Sequence, residues 1–296
     1  MQYLGEFAAL GTALCWTVSA LSFEAAGRRI GSMAVNLIRL TMAWGFLALY
    51  GWLVRGLALP TDASGHTWLW LGVSGLAGFF FCDLCLFRAW VLIGPRLGTL
   101  VFSLSPPLMA LLGWLFLGET LTWLNWLGMV VTLGGVAWVV SERKIRANVA
   151  MWRVSAWGVT LALGGAVGQA VAALCIKQAG GDYDVFAATQ IRVTAGIAAF
   201  AVLFAVINWY PRVFRGLRNG QAMGLMSVGA LAGPFLGVSL LILSLRHLPG
   251  GVVLTFVAVV PVFILPFTIV LYKERVSLRA VCGAGVAIGG VALLFV

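Results

Sequence analysis

Charge is what this chain has least of. Asp, Glu, Lys and Arg make up 9% of its 296 residues, against 62% hydrophobic residues and a mean hydropathy of +1.04. So little polar surface cannot coat a soluble globule, which leaves an integral membrane protein. Histidine is limited to His66 and His247, neither followed by an acidic residue at H-x-x-x-x-D spacing, and there is no G-x-x-x-x-G-K-[ST] phosphate loop. The first absence leaves acyl or phosphoryl transfer without a base and the second excludes ATP-driven pumping by this chain alone, so no enzyme is expected. Cysteine is sparse and membrane-embedded: Cys15, Cys82, Cys85, Cys175 and Cys282 all fall in apolar runs. Cys82 and Cys85 have C-x-x-C spacing without a second Cys or His pair, which favours helix packing over metal binding, and no disulfide framework is expected.

The net charge of +10 is spread as short basic clusters between apolar runs, as in the cytoplasmic loops of membrane proteins. No continuous basic face or motif for nucleic acid exists. No Lys or Arg precedes Arg28, so the first apolar run lacks the basic start of a signal peptide and is expected to stay as a helix. The expected partners are the lipid bilayer and a small-molecule substrate, with no cofactor, no metal and no nucleic acid, the chain being a monomer or homodimer.

What the chain does have is long apolar runs. Cutting at charged or turn-rich stretches gives ten segments of spanning character, at 6–26, 33–54, 67–90, 96–117, 123–140, 154–179, 186–208, 221–245, 249–271 and 277–295. The links are too short for a soluble domain. At an offset of 155, Pro106 meets Pro261, Glu119 meets Glu274, Gly128 meets Gly283, and "GGVA" at 134–137 meets "GGVA" at 289–292. Earlier in each half the offset is 153, pairing Gly11 with Gly164, Gly27 with Gly180 and "LIR" at 37–39 with "QIR" at 190–192. Five segments per half is odd, so the second half enters from the opposite face. The expected fold is an all-α integral membrane protein of ten transmembrane helices in two inverted five-helix repeats, 1–145 and 146–296, an arrangement characteristic of secondary transporters.

Links after the odd-numbered segments hold Arg28, Arg29, Arg88, Arg96, Arg143, Lys144, Arg146, Arg153, Arg212, Arg215, Arg218, Lys273, Arg275 and Arg279, against Arg55, Lys177 and Arg246 on the other face. The positive-inside rule puts the odd links in the cytoplasm and both termini outside, in a multi-pass protein of the cell (inner) membrane.

Several residues together resemble the EamA-type carriers of the drug/metabolite transporter superfamily. They are Trp16 in the first segment, R-x-x-x-A/G at Arg39–Ala43 and Arg192–Gly196, the Ser105–Pro106 and Val260–Pro261 pairs, the closing Glu119 and Glu274, and the glycine-rich fifth segment of each half. The likeness covers essentially the whole chain, twice. It implies ten helices, a central cavity walled by helices 1 to 4 and 6 to 9 with 5 and 10 peripheral, and export or exchange of small metabolites. Two departures, Gln169 opposite Trp16 and Lys177 opposite Glu24, imply that the two cavity walls differ chemically.

An ionised side chain at a helix centre costs about 2.5 to 3.5 kcal/mol on insertion scales, so each needs a partner, water or an escape. Arg39 sits about 9 Å inside the cytoplasmic end of its helix, six residues at 1.5 Å each, and Arg192 repeats the placement. Asp83 and Glu24 lie in the same half of the bundle as Arg39. Either Arg39 pairs with one of them beside a wet cavity, where substrate or a proton perturbs the pair, or the pair is permanent and structural. Phe79, Phe87 and Trp90 share a helical face with Asp83. Such aromatic desolvation suits a proton-coupled step, making Asp83 and Glu24 the proton-coupling candidates; plain packing is the alternative.

Thr12, Trp16, Ser19 and Phe23 form one stripe, and Gly165, Gln169 and Ala172 the matching one, with Asn36, Arg39, Ala43 and Tyr50 on a face of the second helix. The expected substrate contacts are Trp16, Thr12, Ser19, Arg39, Asp83, Gln169 and Arg192, with Trp16 and Gln169 foremost. Pro106, Pro107 and Pro261 are expected inside helices as hinges or static kinks. Glu119 and Glu274 close helices and are expected to bond nearby loop groups. The implied function is secondary transport of small organic metabolites such as amino acids by alternating access. The alternatives are efflux of toxic compounds and, further off, a passive channel or an intramembrane enzyme.

Overall fold

The computed structural model describes residues 3–142, 155–272 and 278–295, and every regular element among them is helical. Among the described residues eight helices are long and apolar enough to cross a membrane: α1 Leu4–Ile30, α2 Met33–Arg55, α3 Gly65–Ile93, α4 Leu97–Leu117, α5 Trp123–Val140, α6 Ala156–Ala179, α7 Val185–Val206 and, after a short α8 at Tyr210–Leu217, α9 Gly220–His247. The expected ninth segment is two shorter helices, α10 Gly250–Val257 and α11 Val260–Tyr272, and the tenth is α12 Leu278–Leu293. Arg143, Lys144, Arg146, Arg153, Lys273, Glu274 and Arg275, for which loop or helix-end roles are expected, lie outside the described residues.

Helix starts follow local chemistry. Ser64, Ser155, Asp184 and Asn219 each accept the backbone N–H three residues on, at 3.1, 3.3, 2.8 and 3.0 Å, satisfying a donor that the first turn of α3, α6, α7 and α9 leaves free. The prolines depart from expectation. Pro106 and Pro107 sit in the first turn of Ser105–Leu117, after the helix is interrupted at Ser103 and Leu104, and Pro261 follows a similar break at Ala258 and Val259. Proline costs nothing extra there because the first-turn N–H has no intrahelical partner. The repeat-related positions therefore mark restarts of a broken helix, not kinks in a continuous one.

Among the described residues, π-helical spacing ends α2 at Gly51–Arg55 and interrupts α3 at Leu76–Cys82 and α9 at Leu231–Gly237, the last two being related at both ends by the offset of 155. Each adds residues per turn and rotates the faces beyond it.

The α5 and α12 helices pack on each other through glycine. A Cβ on Gly290 would stand 2.5 Å from the Thr132 amide nitrogen, and one on Gly135 2.4 Å from the Ala287 nitrogen. Gly290→Leu is expected to lower stability by about 1 to 3 kcal/mol through overpacking. Thermal unfolding in detergent checks it, with Gly285→Leu, whose Cβ would meet nothing within 4 Å, as the neutral control.

Candidate functional site

The two halves interlock along two seams. The α1 helix packs along α9, and α6 packs along α3. The contacts repeat with the sequence. Ser19 donates to the Gly229 carbonyl at 3.1 Å, and Ser74 donates to the Ala172 carbonyl at 2.7 Å. Residues 19 and 172, like 74 and 229, are repeat mates, so one pair of positions is bonded in both halves with donor and acceptor exchanged. Thr12 adds a 3.2 Å bond to the Gly237 carbonyl, and Trp16 lies so close to Gly237 that a Cβ there would stand 2.6 Å from its Cδ1.

Thr12, Trp16 and Ser19 are thus brought together on α9, at its π-helical turn. Gln169, the mate of Trp16, is 9% exposed on the seam face of α6, near the π-helical turn of α3. The small residues in these seams let backbones approach closely enough for side chain to backbone bonds.

The α2 and α7 helices pack across the same interface, with the Trp44 indole donating to Thr194 at 3.1 Å. Arg39 on α2 donates to Asp83 on α3 and lies 5.6 Å from the Phe23 ring centroid. The side chains of the pair are 13% and 17% exposed, and the Nε of Arg39 has no partner among the described residues. Glu24 does not take part: it pairs with Arg28 one turn on at 2.6 Å, in an exposed position. Of the two acids considered for Arg39, Asp83 is the one that reaches it.

Arg192 is placed differently. It is 3% exposed, its guanidinium lies 5.1 Å from the Phe79 ring centroid, and its Nε and Nη1 have no hydrogen-bond partner among the described residues. Phe79 therefore serves Arg192, while Phe87 packs edge-on to Trp90 at 5.1 Å. The expected aromatic face around Asp83 is divided because the π-helical turn separates Phe79 from the residues after Cys82.

One end of the bundle carries a network that sequence reasoning missed. Lys177, in the last turn of α6, forms an ion pair with Glu119 at 2.7 Å and donates to the Leu245 and Leu248 carbonyls at 2.7 Å each. Glu119 also accepts the Gly250 N–H at 3.0 Å. Beneath it, Cβ atoms on Gly250 and Gly251 would run into Met109 and Ala110 of α4 at 2.2 and 2.7 Å. Glu119 is expected to bond nearby loop groups; its partners are instead Lys177 in the last turn of α6 and the first N–H of α10, both from the other half of the chain. The signal available was the Lys177 mismatch with Glu24, without any cue to its partner.

On the same end the link after α2 is pinned to the link before α7. Arg55 reaches Asp62 at 2.5 Å, and the Tyr183 hydroxyl donates to Asp62 at 2.8 Å. Arg246 donates to the Tyr183 carbonyl and Gln190 to the Ala58 carbonyl at 2.9 Å. Burial and its bond to Asp62 push the Tyr183 phenol up to about 12, so it stays a donor. Tyr50, Phe186 and Phe235 cluster nearby, with Tyr50 and Phe186 centroids 4.2 Å apart and Phe186 and Phe235 5.2 Å apart. Two hollows on the flank share Leu76, Phe80 and Ala199 and are lined by apolar residues and glycine only. Neither includes Trp16, Gln169, Arg39, Asp83 or Arg192.

Comparison with known proteins agrees with this arrangement. A solved structure, described only as a crystal structure of a protein, aligns over 98% of this chain and 96% of its own with a TM-score of 0.74 at 16% identity, a likeness of fold. A curated relative, an uncharacterized transporter in the cobO 3' region of Sinorhizobium sp, is 40% identical over 77 residues, 26% of this chain. The match spans about half of that relative's length, 53%. The family model of the EamA-like transporters matches twice, over residues 3–141 and 156–296, with the two seams joining one matched unit to the other. By that double match the chain belongs to the EamA-like transporter family.

Proposed function

We propose that the chain is a secondary transporter, an exporter or exchanger of small organic metabolites such as amino acids, working by alternating access. Ten membrane helices carry it, as two inverted five-helix repeats, 1–145 and 146–296, in the cell inner membrane. The observation that carries this reading is the pair of repeat-related seams, in which the same positions bond with donor and acceptor exchanged. Two copies of one unit packed on each other have two equivalent ways to tilt. A site between them can then face one side or the other.

The links sort by end in a way that supports the orientation. Arg29 in the last turn of α1 donates to Gln221 in the first turn of α9 at 2.5 Å, and Ile30 packs on Gly216 of α8, gathering odd links at one end. The Glu119–Lys177–Gly250 and Arg55–Asp62–Tyr183 networks gather the even links at the other. On the charge rule the first end is cytoplasmic and the second faces outward. The outward end is the one tied shut by these bonds, so we read the state as closed to the outside.

Trp16 and Gln169 sit at repeat-related places beside the π-helical turns and are the proposed substrate contacts, with Thr12 and Ser19 alongside. Trp16→Ala and Gln169→Ala are each expected to slow exchange of a preloaded amino acid by about tenfold, the effect of roughly 1.4 kcal/mol lost at the site. The check is counterflow in sealed liposomes. Stimulation of uptake by preloaded solute marks a carrier, and flux linear in the gradient without it marks a pore. Unaltered counterflow in both variants removes these residues from the site.

A further inference from the structure

Arg39 and Arg192 are repeat mates in equivalent segments, yet among the described residues only Arg39 has a counter-ion. The position that should balance Arg192 is the mate of Asp83. At the offset of 155 that is Val238 and at 153 it is Leu236, and α9 contains no Asp or Glu anywhere. The α6 helix contains none either. Asp184, the cap of α7, is eight residues away, about 12 Å along the helix. The chain therefore buries a guanidinium that is 3% exposed against an aromatic ring, with no carboxylate paired to it among the described residues.

The magnitudes do not balance without a further group. A desolvated cation–π contact contributes about 2 kcal/mol or somewhat more. Each buried donor left unpaired costs about 1 to 3 kcal/mol, and Arg192 has two, Nε and Nη1. Gly78 packs directly against the guanidinium, so closely that a Cβ there would sit 3.2 Å from Nη2 and 3.1 Å from the Ala172 Cβ, and a partner enters only when the helices part. Arg192 also belongs to the outward half, the half tied shut, and the better exposed Arg39–Asp83 pair to the other.

We propose that Arg192 receives the carboxylate of the solute, which supplies the counter-ion that the second repeat lacks. The inference rests on the transporter reading and narrows it to carboxylate-bearing metabolites. The planar fork of a guanidinium matches a carboxylate with two parallel N–H donors, which an amide of the same shape cannot replace. When the outward half opens, the carboxylate takes one edge of the guanidinium, Nη2 together with either Nε or Nη1, the two donors that are buried without a partner in this structure.

The test is a thermal-shift titration of the full-length protein in lipid nanodiscs with matched pairs: acetate and acetamide, benzoate and benzamide, L-leucine and L-leucinamide. At least one acid is expected to bind about tenfold or more tightly than its amide, and Arg192→Gln to abolish that preference while melting no lower than the wild type without solute. Arg192→Lys keeps the charge without the fork and is expected to retain only part of the preference, which carries the test if the glutamine variant does not fold. No acid preference in the wild type, or an equal preference in Arg192→Gln or Arg192→Lys, overturns the proposal. Counterflow read separately keeps the two ideas apart: counterflow without acid preference removes the role of Arg192 and leaves the carrier. Acid preference without counterflow removes the carrier on which the inference rests.

Discussion

Arg39→Ala is expected to destabilise the protein by about 3 to 5 kcal/mol and to abolish transport, because it leaves the Asp83 carboxylate buried without its counter-ion. The side chains of the pair are 13% and 17% exposed, so water gives Asp83 little relief, and the Phe23 ring that faces Arg39 cannot replace a donor. Asp83→Ala strands the guanidinium in the same way. The double variant Arg39→Ala with Asp83→Ala is expected to melt above either single variant, since removing both charges removes the desolvation cost together with the attraction. The exchange Arg39→Asp with Asp83→Arg is expected to recover part of the stability. Transport then separates the two readings of the pair. A structural pair recovers activity along with stability, whereas a pair that titrates or meets the solute stays inactive although folded. Thermal unfolding and counterflow on the same preparations give both readouts. Single-variant effects that simply add in the double variant would show that the two side chains do not act as a pair. The exposed Glu24–Arg28 pair is the internal contrast: as a solvated i, i+4 contact it contributes little, and Glu24→Gln is expected to leave melting nearly unchanged.

That contrast also shows where sequence stopped being legible. An arginine deep in an apolar run has few acids within reach, so naming Asp83 or Glu24 followed from position alone. The choice between them depended on Arg28, whose place one turn after Glu24 gives that acid a local partner. The two-unit layout was readable because internal offsets survive in glycines, prolines and the two arginine motifs. The offset difference between the early and late parts of each half was visible, but the π-helical turns were not. A π turn has no composition of its own, and Leu76–Cys82 reads as any apolar helix. Face arguments that crossed it failed, and Phe79 went to Arg192 instead of standing with Phe87 and Trp90. The breaks before Pro106 and Pro261 were hidden in the same manner, because the flanking residues are apolar on both sides and the run continues through them. The ninth segment keeps the extent expected of it, but what reads as one span is α10 and α11, broken at Ala258 and Val259.

Lys177→Met is expected to cost about 3 to 5 kcal/mol and to loosen the outward end, although the variant keeps a flexible apolar chain of similar length. An ammonium group has three donors, and here all three are used: Glu119 at 2.7 Å and the carbonyls of Leu245 and Leu248 at 2.7 Å each. Those carbonyls belong to the end of α9 and the turn into α10, where the helix leaves acceptors without intrahelical partners. Methionine leaves them bare and strands Glu119, whose side chain is 15% exposed, with one remaining bond from the Gly250 N–H. Glu119→Gln is expected to cost less, because Lys177 keeps its bonds to the Leu245 and Leu248 carbonyls and the single amide oxygen still accepts from either Lys177 or Gly250, which the two carboxylate oxygens bond separately. The order wild type, Glu119→Gln, Lys177→Met in melting temperature is the expected result. Cysteine placed at Met109, beneath Gly250, is expected to react faster with a membrane-impermeant maleimide in the Lys177→Met background if the network holds the α4 and α10 ends together. Unchanged labelling with unchanged melting would mean that apolar packing of Met109 and Ala110 against the two glycines closes this end by itself. The ion pair would then be a bystander to closure.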